Sequence, residues 1–191
     1  MVRIVLASQS PQRIALLKQI GLEFETIPSN VDEEKVPKTH PVSYVKKLAK
    51  LKANAVAKQV DEGIIIGADT AVCIDDHIFG KPQDADDAAN TLRILDDKVH
   101  RVVSGICVIN KYSGTTVTKS VTTKVKFKKL DDKLIEWYVG TGEPLDKAGS
   151  YAIQGKGAVL IEWIKGDYSN VVGLPVSALA LILKSMEAFA N

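Results

Sequence analysis

Gly63-Ile64-Ile65-Ile66-Gly67-Ala68-Asp69-Thr70 is the stretch that decides how this chain is read. Three successive β-branched aliphatics, with no polar residue alternating among them, suit a central strand covered on both faces better than a half-exposed one. Such a strand needs helices on both sides, which sets the class as α/β. The run turns polar at Asp69-Thr70. Asp69 is therefore read as the end of the strand, at the mouth of the sheet where open α/β proteins bind ligands.

Upstream, Val2 to Ala7 is another apolar run of strand length, followed by Ser8-Gln9-Ser10-Pro11. Ser10 suits an N-cap and Pro11 the first helical turn, so a helix begins there, carries Ile14, Leu16, Leu17 and Ile20, and stops at Gly21. Leu22 to Pro28 reads as a second strand. Pro41 opens a long helix to about Val60, ahead of the central strand.

Downstream, Asp75-Asp76-His77 reads as a hairpin tip, Gly80-Lys81-Pro82 as a loop, and Asp84 as the cap of a helix to about Leu95. His100 to Tyr112 and Thr115 to Phe127 alternate in strand fashion across the turn Ser113-Gly114, predicting an antiparallel pair. Leu134 to Val139 suggests a short helix, Gly140 to Gly157 is loop-rich, Val159 to Ile164 reads as a strand, and Pro175 opens a closing helix to about Ala188. With no repeat and no linker, the expectation is one domain over 1–191, a mixed β-sheet with flanking helices, in two lobes around a cleft.

Composition narrows the function. A chain of 191 residues, 46% hydrophobic and 25% charged, can bury a sizeable core and is not disordered in composition. A net charge of +2 with dispersed basic residues gives no reason to expect a nucleic-acid partner or an anionic membrane partner. The N-terminus lacks the apolar core of a signal peptide and no run reaches the length of a membrane span. Cys73 and Cys107 lie in apolar runs, too few for a disulfide framework, and read as buried thiols of a cytoplasmic protein.

Candidate functional residues are charges on faces that should be apolar. On the long helix Val45, Leu48, Ala49 and Val56 form one stripe, and Lys52 lies in its middle. Either its stem snorkels to the rim or its ammonium reaches a buried anion. If it reaches a phosphate, Lys52→Ala should leave stability unchanged or improved. Arg13 lies one turn before Leu17 and points back toward the helix N-terminus, itself an anion site, so Ser8, Ser10 and Arg13 make a phosphate cradle. Asp69 could be an innocent strand-end carboxylate. Within Asp32-Glu33-Glu34, spacing alone does not select Glu33.

Lys81 is held on a restrained loop but could equally be a turn lysine. Neither Gly80-Lys81-Pro82 nor Gly155-Lys156-Gly157 completes a phosphate-loop or dinucleotide motif. His40, His77 and His100 have no zinc-ligand spacing and read as loop or strand-edge residues.

Several pieces recur in one order: Leu6-Ala7-Ser8-Gln9-Ser10-Pro11-Gln12-Arg13, Val31-Asp32-Glu33, Lys52-Ala53, Gly67-Ala68-Asp69-Thr70 and Gly80-Lys81-Pro82. Asp146 to Gly155, Gly166-Asp167-Tyr168 and Asn170-Val171-Val172-Gly173-Leu174-Pro175 follow. Together they resemble the Maf family over nearly the whole chain. Gln12 departs from a second arginine common there, and Ser104 stands where a threonine commonly precedes glycine.

The resemblance implies a nucleoside triphosphate pyrophosphatase with a fold similar to the inosine triphosphate pyrophosphatases, a magnesium or manganese ion, and a homodimer. It also carries a link to septum formation, so the alternative is a nucleotide-binding regulator of cell division with little turnover. On the enzyme reading, Glu33 and Asp69 serve the metal and the attacking water, while Arg13, Lys52 and Lys81 serve the triphosphate. Arg13, Thr70 and Gln154 match the branch acting on dTTP and UTP, where the Gln154 amide offers the donor and acceptor that a uracil or thymine edge needs.

Overall fold

A computed structural model describes residues 2–189. Seven strands form one sheet: β1 (Ile4–Leu6), β2 (Glu25–Thr26), β3 (Ile64–Ile74), β4 (His77–Phe79), β5 (Val99–Asn110), β6 (Thr115–Phe127) and β7 (Ile161–Lys165). Six α-helices accompany them: α1 (Pro11–Gln19), α2 (Pro41–Ala57), α3 (Ala85–Leu95), α4 (Asp132–Gly140), α5 (Tyr168–Val172) and α6 (Val176–Ser185). The strand order is β2-β1-β3-β5-β6-β7, with β4 also paired to β3. β2, β1 and β3 run parallel, and every other pairing is antiparallel. The expected mixed sheet with flanking helices is present.

Three local readings need correction. β3 does not end at Asp69 but runs on to Ile74, because antiparallel pairing with β5 continues through Cys73 and Arg101. The second strand shrinks to two exposed residues at the sheet margin, where β1 alone supports it. Of the three histidines, His100 is no strand-edge residue: it is 1% exposed, with its ring against Phe127 and Tyr151. The sequence reading also missed α5, whose N-cap Asp167 accepts from the Ser169 and Asn170 N–H groups.

The two faces of β3 divide the molecule. Ile65, Ala71 and Cys73 face α2 and pack with its Val45, Leu48, Ala49 and Val56. Contact is close because two glycines in adjacent strands lie beneath the helix. A Cβ on Gly67 would sit 2.3 Å from the Ala49 carbonyl oxygen, and one on Gly105 would sit 2.4 Å from that of Val45. Either addition would force the helix off the sheet.

The opposite face carries two separate cores. One joins Ile64, Ile66 and Ala68 to Leu17 of α1 and to Leu179 and Leu183 of α6. The other joins Val72, Val102 and Phe127 to Leu92 of α3 and to Ile135 and Tyr138 of α4.

His100 belongs to that second core. Its Nε2 lies 2.8 Å from the Tyr151 hydroxyl, and its ring packs edge-on against Phe127 and Tyr151. Burial pushes its pKa down to about 4. The native ring is neutral, whereas the unfolded chain takes up a proton below about pH 6.5. Stability should therefore fall as pH drops from there toward about 4, by roughly 3 kcal/mol from this group. The measurement is the unfolding free energy of the protein against a His100→Gln variant. Their difference should narrow by that amount over the interval, and a constant difference would contradict the neutral buried ring.

Candidate active site

The site lies where β3 lacks a neighbour. On the edge away from β5, β1 pairs with Ile64 to Ile66 and β4 with Val72 to Ile74, so, among the described residues, residues 67–71 meet no strand on that side. A cavity of about 1060 Å³ opens onto this gap, a volume at the upper end of small-ligand pockets. The end of β1 and the N-terminus of α1 lie on one side of the gap, and Phe79-Gly80-Lys81 lies on the other.

Lys52 and Asp69 meet at the bottom. Lys52 is 7% exposed and Asp69 6%, and the Lys52 ammonium donates to Asp69 Oδ1 at 2.6 Å. The same ammonium lies 2.8 Å from Glu33 Oε1. Of the two readings for Lys52, the one with a buried anion holds, and the anion is a protein carboxylate. Glu33 arrives on a short 3-10 turn, Glu33–Lys35, folded over α2. Burial pushes the Asp69 carboxyl above the usual aspartate range; Lys52 and Arg13 pull it down, and Glu33 pushes it further up.

Arg13 and Thr70 occupy the other face of β3, since neighbouring strand residues point in opposite directions. Arg13 Nε donates to the Gly173 carbonyl at 2.9 Å, Nη1 to Ser8 Oγ at 3.3 Å and Nη2 to Thr70 Oγ1 at 3.4 Å. The Thr70 hydroxyl is also 2.8 Å from Ser104 Oγ and 3.1 Å from the Gly173 carbonyl. A hydroxyl has one proton to donate, so Thr70 is occupied in joining α1 and β5 to the turn before α6. Serine at 104 keeps the hydroxyl that a threonine would supply. Burial lowers the Arg13 pKa while Asp69 and Glu33 oppose the shift, and the group remains cationic.

Ser10 caps α1 by accepting from the Arg13 N–H and donates to Gln12 Oε1 at 3.1 Å. Ser8 is 9% exposed and accepts from the Ser10 N–H at 3.2 Å. Of the nine residues singled out from the sequence, Ser10, Arg13, Glu33, Lys52, Asp69, Thr70, Lys81 and Gln154 line the cavity. Ser8 stands behind the wall and orients Arg13. The wall residues that the sequence reading missed include Lys38, whose ammonium comes within 3.2 Å of where a Gly80 Cβ would be, and Glu143.

Glu33 and Asp69 converge on one cation, the Lys52 ammonium, so their oxygens are arranged to face positive charge. Among the described residues no group of three His, Cys, Asp or Glu could hold a metal ion. A divalent ion at this pair would complete its shell with water and a ligand's oxygens, as magnesium commonly does.

The model of the family described as Maf-like protein matches residues 3–186. The chain belongs to the Maf-like family. Its relatives include a dTTP/UTP pyrophosphatase of Thermococcus onnurineus (strain NA1), 50% identical over 173 residues that cover 91% of this chain and 92% of that one. Another dTTP/UTP pyrophosphatase, from Alkaliphilus metalliredigens (strain QYMF), is 49% identical over 184 residues, 96% of this chain and 95% of that one. Among solved structures, the Staphylococcus aureus Ham1 protein aligns with a TM-score of 0.46 and 18% identity, over 65% of this chain and 71% of that one. Within this Maf-like chain no helix of the described residues is long and apolar enough to cross a membrane.

Proposed function

We propose that this protein hydrolyses dTTP and UTP to the nucleoside monophosphate and pyrophosphate. One observation carries the reading: a carboxylate pair bridged by a buried lysine opens into the same cavity as Arg13, Lys38, Lys81 and Gln154. Relatives about half identical over nearly the whole chain bear the name dTTP/UTP pyrophosphatase.

The reaction asks for a water aligned on the α-phosphorus, a place for its proton, and positive charge near the departing pyrophosphate. Asp69 is the group for the water, because it lies at the bottom of the cavity with an acceptor oxygen. The water oxygen bonds to the α-phosphorus, the bridge to the β-phosphate breaks, and the water proton passes to the carboxylate. Lys81 and Lys38, on the rim, neutralise the leaving phosphates. Lys52 is tethered between Glu33 and Asp69 and can turn to a phosphate once these carboxylates have another cation. Magnesium or manganese held by Glu33 and Asp69 would polarise phosphate oxygens and lower the pKa of a bound water. Gln154 reads the base edge. Thr70 supports Arg13 from the far face instead of touching the base.

We further read the protein as a cytoplasmic homodimer with no nucleic-acid or membrane partner. The family resemblance supports the dimer. The two buried thiols, whose pKa values burial raises, suit a reducing compartment.

The test is pyrophosphate release from dTTP, UTP, ATP, GTP and 7-methyl-GTP, with and without excess chelator. The expected result is turnover of dTTP and UTP well above the three purine nucleotides, abolished by chelator, with Gln154→Ala eroding the preference. Orthophosphate as product, or unchanged turnover in chelator, would overturn the mechanism. Equal efficiency on all five would overturn the base assignment alone. Tight binding with no release would leave a nucleotide-responsive module of cell division.

A further inference from the structure

Glu143 belongs to no motif that marked the site in the sequence, yet its carboxylate holds three donors. Oε1 accepts from the Tyr138 hydroxyl at 2.9 Å and from the Gly157 N–H at 2.9 Å, and Oε2 accepts from the Lys156 N–H at 2.9 Å. The Tyr138 oxygen in turn accepts from the Ala152 N–H at 3.1 Å. One carboxylate and one phenol thus tie down both ends of the segment 152–157, and Gln154 lies between the ties.

Two glycines let the chain close on this pair. Gly155 has φ +88, and a Cβ there would lie 2.6 Å from Glu143 Oε2. A Cβ on Gly157 would lie 2.6 Å from the Tyr138 hydroxyl oxygen and 2.3 Å from the Ala152 carbonyl oxygen. Backbone N–H groups can approach the carboxylate only because no side chain intervenes. Tyr138 itself is fully buried in the second core, so the tie is anchored in packed structure. Burial alone would raise the pKa of Glu143, but the N–H groups of Lys156 and Gly157 and the Tyr138 hydroxyl lower it overall. The group is a carboxylate at neutral pH.

We propose that Glu143 is a positioning residue for nucleobase recognition, holding the segment 152–157 so that Gln154 meets the base edge in one orientation. This deepens the dTTP/UTP reading above and rests on it. An exposed glutamine on a glycine-rich loop loses several rotatable bonds of freedom on binding, and tethering the backbone on both sides removes part of that cost beforehand. A carboxylate is suited to the task because it is acceptor-only. The amide of a glutamine would turn an NH2 group toward at least one of the three donors.

The experiment compares the protein with Glu143→Gln on dTTP and ATP. Amide hydrogen exchange of the segment 152–157 is followed in the same samples. We expect kcat/KM for dTTP to fall by about tenfold, mainly through KM, and the dTTP-to-ATP ratio to shrink by a similar factor, because an unpaired donor loosens the segment that discriminates. Exchange at Lys156 and Gly157 should accelerate while that of β3 and β5 stays slow. A purely structural role would lower activity on both nucleotides alike, and that result overturns the proposal.

If Glu143→Gln fails to fold, Tyr138→Phe removes the phenol tie and keeps the ring. It should shift the same ratio in the same direction by a smaller factor, and an unchanged ratio counts against the proposal. Should the unmodified protein not favour dTTP at all, the base assignment fails by itself. The proposal then stands or falls on KM and exchange: unchanged values for both in Glu143→Gln overturn it.

Discussion

Asp69→Asn is expected to lower dTTP turnover by about a hundredfold or more while the protein stays folded. Asparagine keeps the shape and an oxygen that can accept from Lys52, so the hydrogen bond at the bottom of the cavity survives. What disappears is the negative charge, and with it the acceptor for the water's proton and half of the carboxylate pair that faces a cation. Stability should change little, because the Lys52 ammonium keeps Glu33 as a counterion at 2.8 Å, while burial already opposes the Asp69 charge, raising its pKa. The measurements are steady-state pyrophosphate release and thermal unfolding of the same preparation. A folded variant with near-original turnover would remove Asp69 from the chemistry and leave it as a structural partner of Lys52.

Removal of Lys52 should cost both activity and stability. From the helical stripe alone, a phosphate-reaching lysine could be removed with stability unchanged or improved. The structure reverses that expectation. The ammonium lies 2.6 Å from Asp69 and 2.8 Å from Glu33, so Lys52→Met leaves two carboxylates facing each other, one of them buried.

Taking away one partner of a buried pair costs about 3–5 kcal/mol, because the remaining charge has no counterion. Turnover should fall by about a hundredfold or more as well, since the phosphates lose a cation. The double variant Lys52→Met with Asp69→Asn should recover much of the lost stability and none of the activity. Unfolding free energies of the two single variants and the double variant give the coupling directly. Additive effects, or a stable Lys52→Met protein with intact kinetics, would show that the pair does not act as a unit.

Much of the fold and several of the cavity's residues could be read along the chain, for a reason visible in particular residues. Ile64-Ile65-Ile66 demanded cover on both faces, and it has α2 on one and α1 with α6 on the other. Ser10-Pro11 and Asp84 carry helix starts in their own side-chain chemistry, which needs no distant partner, and both are found as caps. Lys52 stood out because a charge in an apolar stripe conflicts with its neighbours within two turns of one helix. These signals are local, so periodicity and capping rules reach them.

Tertiary structure decided the rest. Where β3 would end was not a property of β3: its pairing with β5, from Thr70 opposite Ser104 to Cys73 opposite Arg101, carries it past Asp69 and turns a supposed strand end into a gap in one edge. The glycines at 67 and 105 matter only because α2 lies across them. Glu33 differs from Asp32 and Glu34 only in where a short turn folds it, and strand alternation puts the Thr70 hydroxyl beside Arg13, on the face of β3 opposite Asp69. Glu143 left no mark at all, since its three partners are an α4 side chain and two backbone N–H groups of the glycine-rich loop, which carry no side-chain signal. The sequence by itself determined which segments must be covered, capped or charged, because those demands are met by neighbours in the chain. Which carboxylate meets which cation was decided only by long-range pairing, because hydrogen bonds and ion pairs form between groups that folding brings within about 3 Å, whatever their separation in sequence.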